Sequence, residues 1–141
     1  MNRTELSSLY DKHLHAIMLR EEAQGEPLLG MVAVAYVPLN RLAQRSYYGN
    51  DLHSIILKPY QFSCFNDDYI ERVKPFDHES WLDNICYSIV EMVHSRRAPD
   101  FSQGATHYWR HDITTGFEDD LQYIRRLGDH TFWKYSHERR G

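Results

Sequence analysis

From residue 28 to residue 42 the chain carries Leu29, Met31, Val32, Val34, Tyr36, Val37 and Leu39 spread almost all the way round a helical projection. A helix that is apolar on nearly every side has no face to offer water, so it belongs in the middle of the molecule with the rest of the chain wrapped around it. Pro38 lies inside it. A proline there removes one backbone donor and crowds the carbonyl four residues back, which should kink or loosen the preceding turn. The apolar stretch, residues 28–39, is far short of the roughly 20 residues of a membrane span.

The elements that would do the wrapping follow from periodicity. Leu6, Leu9, Tyr10, His13, Leu14, Ile17 and Met18 recur at three- and four-residue steps, which predicts one amphipathic N-terminal helix. A capping box of Asn2 and Glu5 would start it, and Gly25 and Pro27 would stop it. Residues 43–77 read as irregular, with a turn at Tyr47-Tyr48-Gly49-Asn50 and a short helix over 51–57 closed by Pro59. A further helix is expected over 78–97, capped by Asp77, with Trp81, Leu82, Ile85, Cys86, Ile89, Val90 and Val93 as its buried stripe, and Pro99 prevents its continuation. Residues 105–109 and 131–135 are short aromatic and β-branched runs, expected to pair as strands at the edge of the helical body. With 141 residues and neither repeat nor linker, the expectation is a single compact domain over 1–141, α+β and mostly helical with a small β element.

A net charge of -4 argues against a general nucleic-acid binder, which needs a clustered positive surface. Arg96-Arg97, Arg125-Arg126 and Arg139-Arg140 read as helix ends or solvated tails. Cys64 and Cys86 show no metal or CxxC spacing and are expected as free buried thiols, a disulfide being the alternative. The spacing of His107, His111 and Asp112 does not bring the rings together on a strand and loop, so no metal and no cofactor is expected. Ten Tyr, three Trp and nine His suit a cleft that grips a polar ring-shaped ligand, as they also suit an ordinary core.

The stretch Glu21-Glu22-Ala23-Gln24-Gly25-Glu26-Pro27 is the most informative for chemistry. Glu22 lies four residues past Met18 and eight past Leu14 and so continues the apolar stripe, whereas Glu21 falls one residue off it. A carboxyl forced inward is desolvated, and its pKa rises toward what a glycosidase general acid needs. Spacing alone favours the other reading, three solvated acids at a helix end.

The same stretch opens a resemblance. Glu22-Ala23-Gln24-Gly25-Glu26-Pro27, then Gly30, Val32-Ala33-Val34-Ala35 and Leu39-Asn40-Arg41, is similar to the opening signature of the SleB-like cell wall hydrolases, the spore-cortex-lytic group of peptidoglycan enzymes. Tyr60-Gln61-Phe62-Ser63-Cys64, Gly104-Ala105-Thr106-His107-Tyr108 and Leu127-Gly128-Asp129-His130-Thr131-Phe132 resemble three further blocks of that family, in its order. Pro38, Asp129 and residues 99–102 depart from the pattern.

The resemblance implies a lysozyme-like fold and cleavage of the glycan strand between N-acetylmuramic acid and N-acetylglucosamine, with Glu22 as the catalytic acid. A lone acid can protonate the glycosidic oxygen and then take a proton from the attacking group. Attack by the muramic 6-hydroxyl makes a lytic transglycosylase, and attack by water makes a muramidase. The resemblance favours the former, in a phage endolysin-like role in cell lysis. The alternatives are a muramidase of bacterial wall remodelling and a non-catalytic glycan-binding or virion structural module. Asp67, Asp68, Glu71 and Glu79 are undistinguished candidates for a second carboxylate. Glu26, Gln61, Phe62, Ser63, Tyr108 and His130 are the expected substrate-binding residues, although Phe62 also suits a loop anchor and His130 a structural histidine. Of Tyr108 and Trp109, alternate on a strand, one should point inward and the other stack on a sugar. The partner expected is the peptidoglycan strand, with no nucleic acid and no stable membrane insertion, for a monomer. Because the N-terminus Met1-Asn2-Arg3-Thr4-Glu5 lacks the apolar core of a signal peptide, synthesis in the cytoplasm and release or export by another protein are expected.

Overall fold

A computed structural model describes residues 1–59 and 61–138. Tyr60, given a place in a motif above, and Arg139-Arg140, read as a tail, lie outside the described residues. Helices α1 (Arg3–Ser7), α2 (Asp11–Ala23), α3 (Leu28–Leu42), α4 (Leu52–Ile56) and α5 (Trp81–His94) are followed by strands β1 (His107–Arg110), β2 (Gln122–Leu127) and β3 (His130–Lys134). Single 3-10 turns stand at Ser63–Phe65 and Ile70–Arg72. Among the described residues no helix is long and apolar enough to cross a membrane.

The all-round apolar segment is α3, and it is the hub. Residues 31–37 are buried along its length, and it packs against α2, α4, α5 and β2. The helix runs on through Pro38 to Leu42, and the proline is itself buried. Because α3 meets neighbours on every side, packing supplies what the lost backbone hydrogen bond would have given.

The N-terminal segment differs from its reading. The capping box of Asn2 and Glu5 forms, but the helix it starts ends at Ser7 and a second begins at Asp11. The hydroxyls of Ser7 and Ser8 donate back to the carbonyls of Thr4 and Glu5, a local alternative to helix continuation, and Tyr10 is extended and 84% exposed. On α5 the cap is Ser80, whose hydroxyl accepts from the Asp83 N–H, so the helix starts later than Asp77 and leaves Trp81 79% exposed instead of in the stripe. Cys86, Ile89, Val90 and Val93 are buried as expected, and Cys64 and Cys86 are free buried thiols.

Polar groups lock the helices together. Buried Arg20 on α2 donates to Asp83 of α5 at 3.0 Å and to the carbonyl of Lys74 at 2.5 Å. His15 on α2 lies with Nε2 at 2.8 Å from the Ala35 carbonyl and Nδ1 at 2.9 Å from His94 Nε2. The carbonyl requires a proton on His15 Nε2, so Nδ1 accepts from His94 and the His15 ring is neutral.

The two expected strands pair antiparallel, with Tyr108 opposite Phe132. The sheet has a third strand that the reading missed, and its order is β1-β3-β2, with β3 central. Arg125-Arg126 belong to β2 and not to a helix end. The β2–β3 turn is closed by Gly128 at φ +60°, where a Cβ would stand 2.6 Å from Glu26 Oε2 and 2.7 Å from Pro27 Cδ. Only glycine fits a left-handed turn this close to another chain segment.

Candidate active site around Glu22

Glu22 lies in the last turn of α2, which Gln24, extended, and Gly25 at φ +86° then terminate. Its carboxyl is half-buried, and Oε1 accepts a 2.9 Å hydrogen bond from the hydroxyl of Tyr108 on β1. Burial pushes the Glu22 pKa up; hydrogen bonds from Tyr108, Cys64 and Ser63 oppose the rise, and the neighbouring Glu21 charge adds to it. The residue expected to continue the inward stripe does so. Glu21 differs from the solvated acid the spacing allowed. Its side chain is only 13% exposed and pairs with Arg20 at 3.0 Å.

Glu22 opens into a cleft of about 330 Å³, lined also by Glu21, Ser63, Asn66, Asp68 and Tyr69. A larger cleft of about 660 Å³ lies beyond Tyr108, walled by Tyr47, Tyr48, Trp109, Phe117 and Tyr135 with Arg41, Lys58 and Gln61. Tyr108 lines the second cleft and its hydroxyl reaches Glu22 in the first, so the two meet at that hydrogen bond. Both residues of the aromatic pair line the aromatic cleft; the Tyr108 hydroxyl reaches Glu22, and Trp109 stacks on Trp133 at 4.6 Å.

The other expected contact residues separate. Ser63 is exposed in the Glu22 cleft, and Gln61 stands in the aromatic one with its Oε1 accepting from Arg41 at 3.1 Å. Phe62 is 2% exposed beneath the Arg41 guanidinium, 4.9 Å from its ring centre, and so carries the site from below with no face open to a ligand. Glu26 and His130 lie in neither cleft lining. The Glu26 carboxylate accepts from the Asp129 N–H at 3.2 Å and lies 2.7 Å from His130 Nδ1, a close contact that is poorly aligned for a hydrogen bond. Burial lowers the His130 pKa and Glu26 opposes that fall. These two residues clasp the loop after Glu22 to the β2–β3 turn.

Arg41, Tyr48 and Lys58 were not among the expected site residues. Arg41 is buried, donating to the Thr106 carbonyl at 2.7 Å with its guanidinium over Tyr48 and Phe62. A cation in the last turn of the central helix was the available signal, since a buried guanidinium must find acceptors. Of the candidate second carboxylates, Asp68 shares the Glu22 cleft, while Asp67 pairs with Arg3 at 3.6 Å. His107 packs against Tyr48 and Tyr135, and burial lowers its pKa to about 4. Among the described residues no three His, Cys, Asp or Glu side chains group as a metal would require.

Comparison with known proteins gives concordant matches. Residues 25–133 match the family model described as Cell Wall Hydrolase, a span that begins three residues after Glu22 and contains Glu26. A spore cortex-lytic enzyme of Halalkalibacterium halodurans is 31% identical over 123 residues, 86% of this chain and 34% of the relative. One from Oceanobacillus iheyensis is 30% identical over 125 residues, 88% of this chain and 41% of the relative. The chain thus spans well under half the length of these curated relatives. Among solved structures, the catalytic domain of the germination-specific lytic transglycosylase SleB from Bacillus anthracis superposes with a TM-score of 0.69 at 28% identity, covering 88% of this chain and 93% of that one. The catalytic domain of Bacillus cereus SleB gives 0.69 at 29% identity, covering 88% and 89%.

Proposed function

Because this chain belongs to the cell wall hydrolase family, we propose that it cleaves the glycan strand of peptidoglycan between N-acetylmuramic acid and N-acetylglucosamine, as a lytic transglycosylase with Glu22 as its single catalytic acid. The likeness to the SleB catalytic domains over 88% of the chain and the shared lysozyme-like α+β fold support the substrate class. The observation that carries the choice of acid is the half-buried Glu22 carboxyl, its pKa raised by burial, held by Tyr108 where the two clefts meet.

Tyr108 donates to Oε1, so the proton to be delivered resides on Oε2. That proton passes to the glycosidic oxygen as the bond from C1 of the muramoyl sugar breaks, and positive charge develops on the ring. The Glu22 carboxylate then takes the proton of the muramic 6-hydroxyl while its oxygen bonds to C1. The product is a 1,6-anhydro sugar, no water is consumed, and Glu22 ends protonated as it began. Tyr108 stabilises the intermediate carboxylate with the same hydrogen bond that orients the acid.

One observation favours a second reading. Asp68 lines the same cleft as Glu22 and is placed to serve as a base for water in a muramidase. Digestion of peptidoglycan in H₂¹⁸O followed by mass spectrometry separates the two. Anhydro-muramic ends without ¹⁸O, and an Asp68→Asn variant with kcat within about fivefold of wild type, are expected. Reducing ends carrying ¹⁸O, abolished by Asp68→Asn, would replace the transglycosylase by the hydrolase, and release of amino groups without either product would remove both.

A further inference from the structure

The two clefts that meet at Tyr108 differ in charge. The cleft that Glu22 opens into has Glu21, Glu22 and Asp68 in its lining and no cation, while the aromatic one has Arg41 and Lys58 and no carboxylate. The protein as a whole carries -4, so a carboxylate-free cationic cleft is a local departure from its surface. The two cations are not equivalent. Arg41 is buried and spent on the Thr106 carbonyl, Gln61 and two ring faces. Lys58 is exposed, and among the described residues no carboxylate pairs with it. An ammonium at the edge of an aromatic wall, with no internal partner, is poised for an anion brought by a ligand whose rings stack beside it.

We propose that Lys58 is a specificity residue that binds a carboxylate borne by a muramoyl sugar in the aromatic cleft, an inference that rests on the glycan-cleaving reading of the site. Peptidoglycan offers that carboxylate in two places, the 3-O-lactyl group once its peptide is removed and the peptide stem itself. N-acetylglucosamine offers none. The charge difference between the clefts therefore favours the register that sets a muramoyl sugar against Lys58. The muramoyl carboxylate is drawn to Lys58 and repelled from Asp68, Glu21 being paired with Arg20, so alternate sugars are told apart by charge as well as by shape.

The test compares three preparations of one glycan strand: with peptide stems, with stems removed to leave the lactyl carboxylate, and with all carboxylates capped as methylamides. Wild-type protein should show a KM about tenfold higher on the capped strand, the worth of one charge-assisted hydrogen bond. Lys58→Met should raise KM by the same factor on a carboxylate-bearing strand and leave the capped strand unchanged, with kcat retained, and Lys58→Arg should restore binding. A Lys58→Met effect on the stem-bearing strand alone identifies the stem as the source. An effect on the stripped strand as well identifies the lactyl group. Equal KM for wild type and Lys58→Met on all three overturns the proposal while the glycan-cleaving reading stands. Cleavage of none of the three by wild type overturns both.

Discussion

The Tyr108 hydroxyl and Glu22 Oε1 meet at 2.9 Å across 86 residues of sequence, joining the end of a helix to the first strand of the sheet. That hydrogen bond favours the carboxylate, whereas the burial around it favours the neutral acid, and burial is the larger effect.

Replacing the acid separates chemistry from stability. Glu22→Gln should cut turnover by about 10²–10⁴-fold, the usual worth of a positioned general acid. The folded pKa of Glu22 is raised, so its stabilising contribution is present below the ordinary carboxyl pKa and is lost as pH rises through the folded value. Glutamine does not ionise. The variant should therefore melt above wild type at pH 7, by about 3 °C for each kcal/mol recovered, and level with it near pH 4. A variant less stable than wild type at pH 7 would contradict the buried acid.

Tyr108→Phe removes a donor that holds the Glu22 pKa down. The alkaline limb of the pH–rate profile should move to higher pH, while the maximal rate falls about tenfold or more for want of orientation. An unmoved limb would show that another group sets it.

Glu26→Gln and Gly128→Ala test the clasp on the β2–β3 turn. Each should lower stability by about 1–3 kcal/mol, read as a drop in the urea midpoint, through a weakened acceptor in one case and a forced left-handed alanine in the other. Turnover per folded molecule should stay within about fivefold of wild type. A collapse of kcat with an unchanged midpoint would assign Glu26 to the substrate instead.

His15, neutral between Ala35 and His94, has its pKa lowered by burial to about 3, the His94 ring adding to the fall. A lowered histidine contributes stability that is present above the unfolded value near 6.5 and is lost as pH falls toward the folded one. The melting temperature should decline from pH 6 downward, and the His15 ring should show no NMR titration near pH 6.5. A His15 titrating there would break the arrangement.

The helical body was largely legible because its signals are local. Residues 28–42 could only be a buried helix, and Met18 to Glu22 is one turn of a period already established. The break at Ser8 was not legible, because the apolar spacing runs straight across it and the deciding event is a serine hydroxyl turning to the backbone. Strand β2 was hidden by Arg125-Arg126 and an exposed edge, where neither alternation nor apolar content marks a strand. In the site, the inward position of Glu22 was readable from spacing, while its role rested on the family resemblance. The clasp of Glu26 on Asp129, 103 residues away, was not, nor was the aromatic cleft, whose walls come from four separate stretches of chain.

The wide separation of Glu22 from Tyr108, and of Glu26 from Asp129, also sets the order in which the protein becomes competent. A ribosome releases the helices first, so a nascent chain reaching residue 107 has its acid but neither the phenol that orients it nor the hairpin that fixes the following loop. Only when the strands from residue 107 to residue 134 emerge does the site close, at a seam whose two sides are made some 86 to 103 residues apart. Truncation from the C-terminus should therefore extinguish function long before it dissolves the helical body.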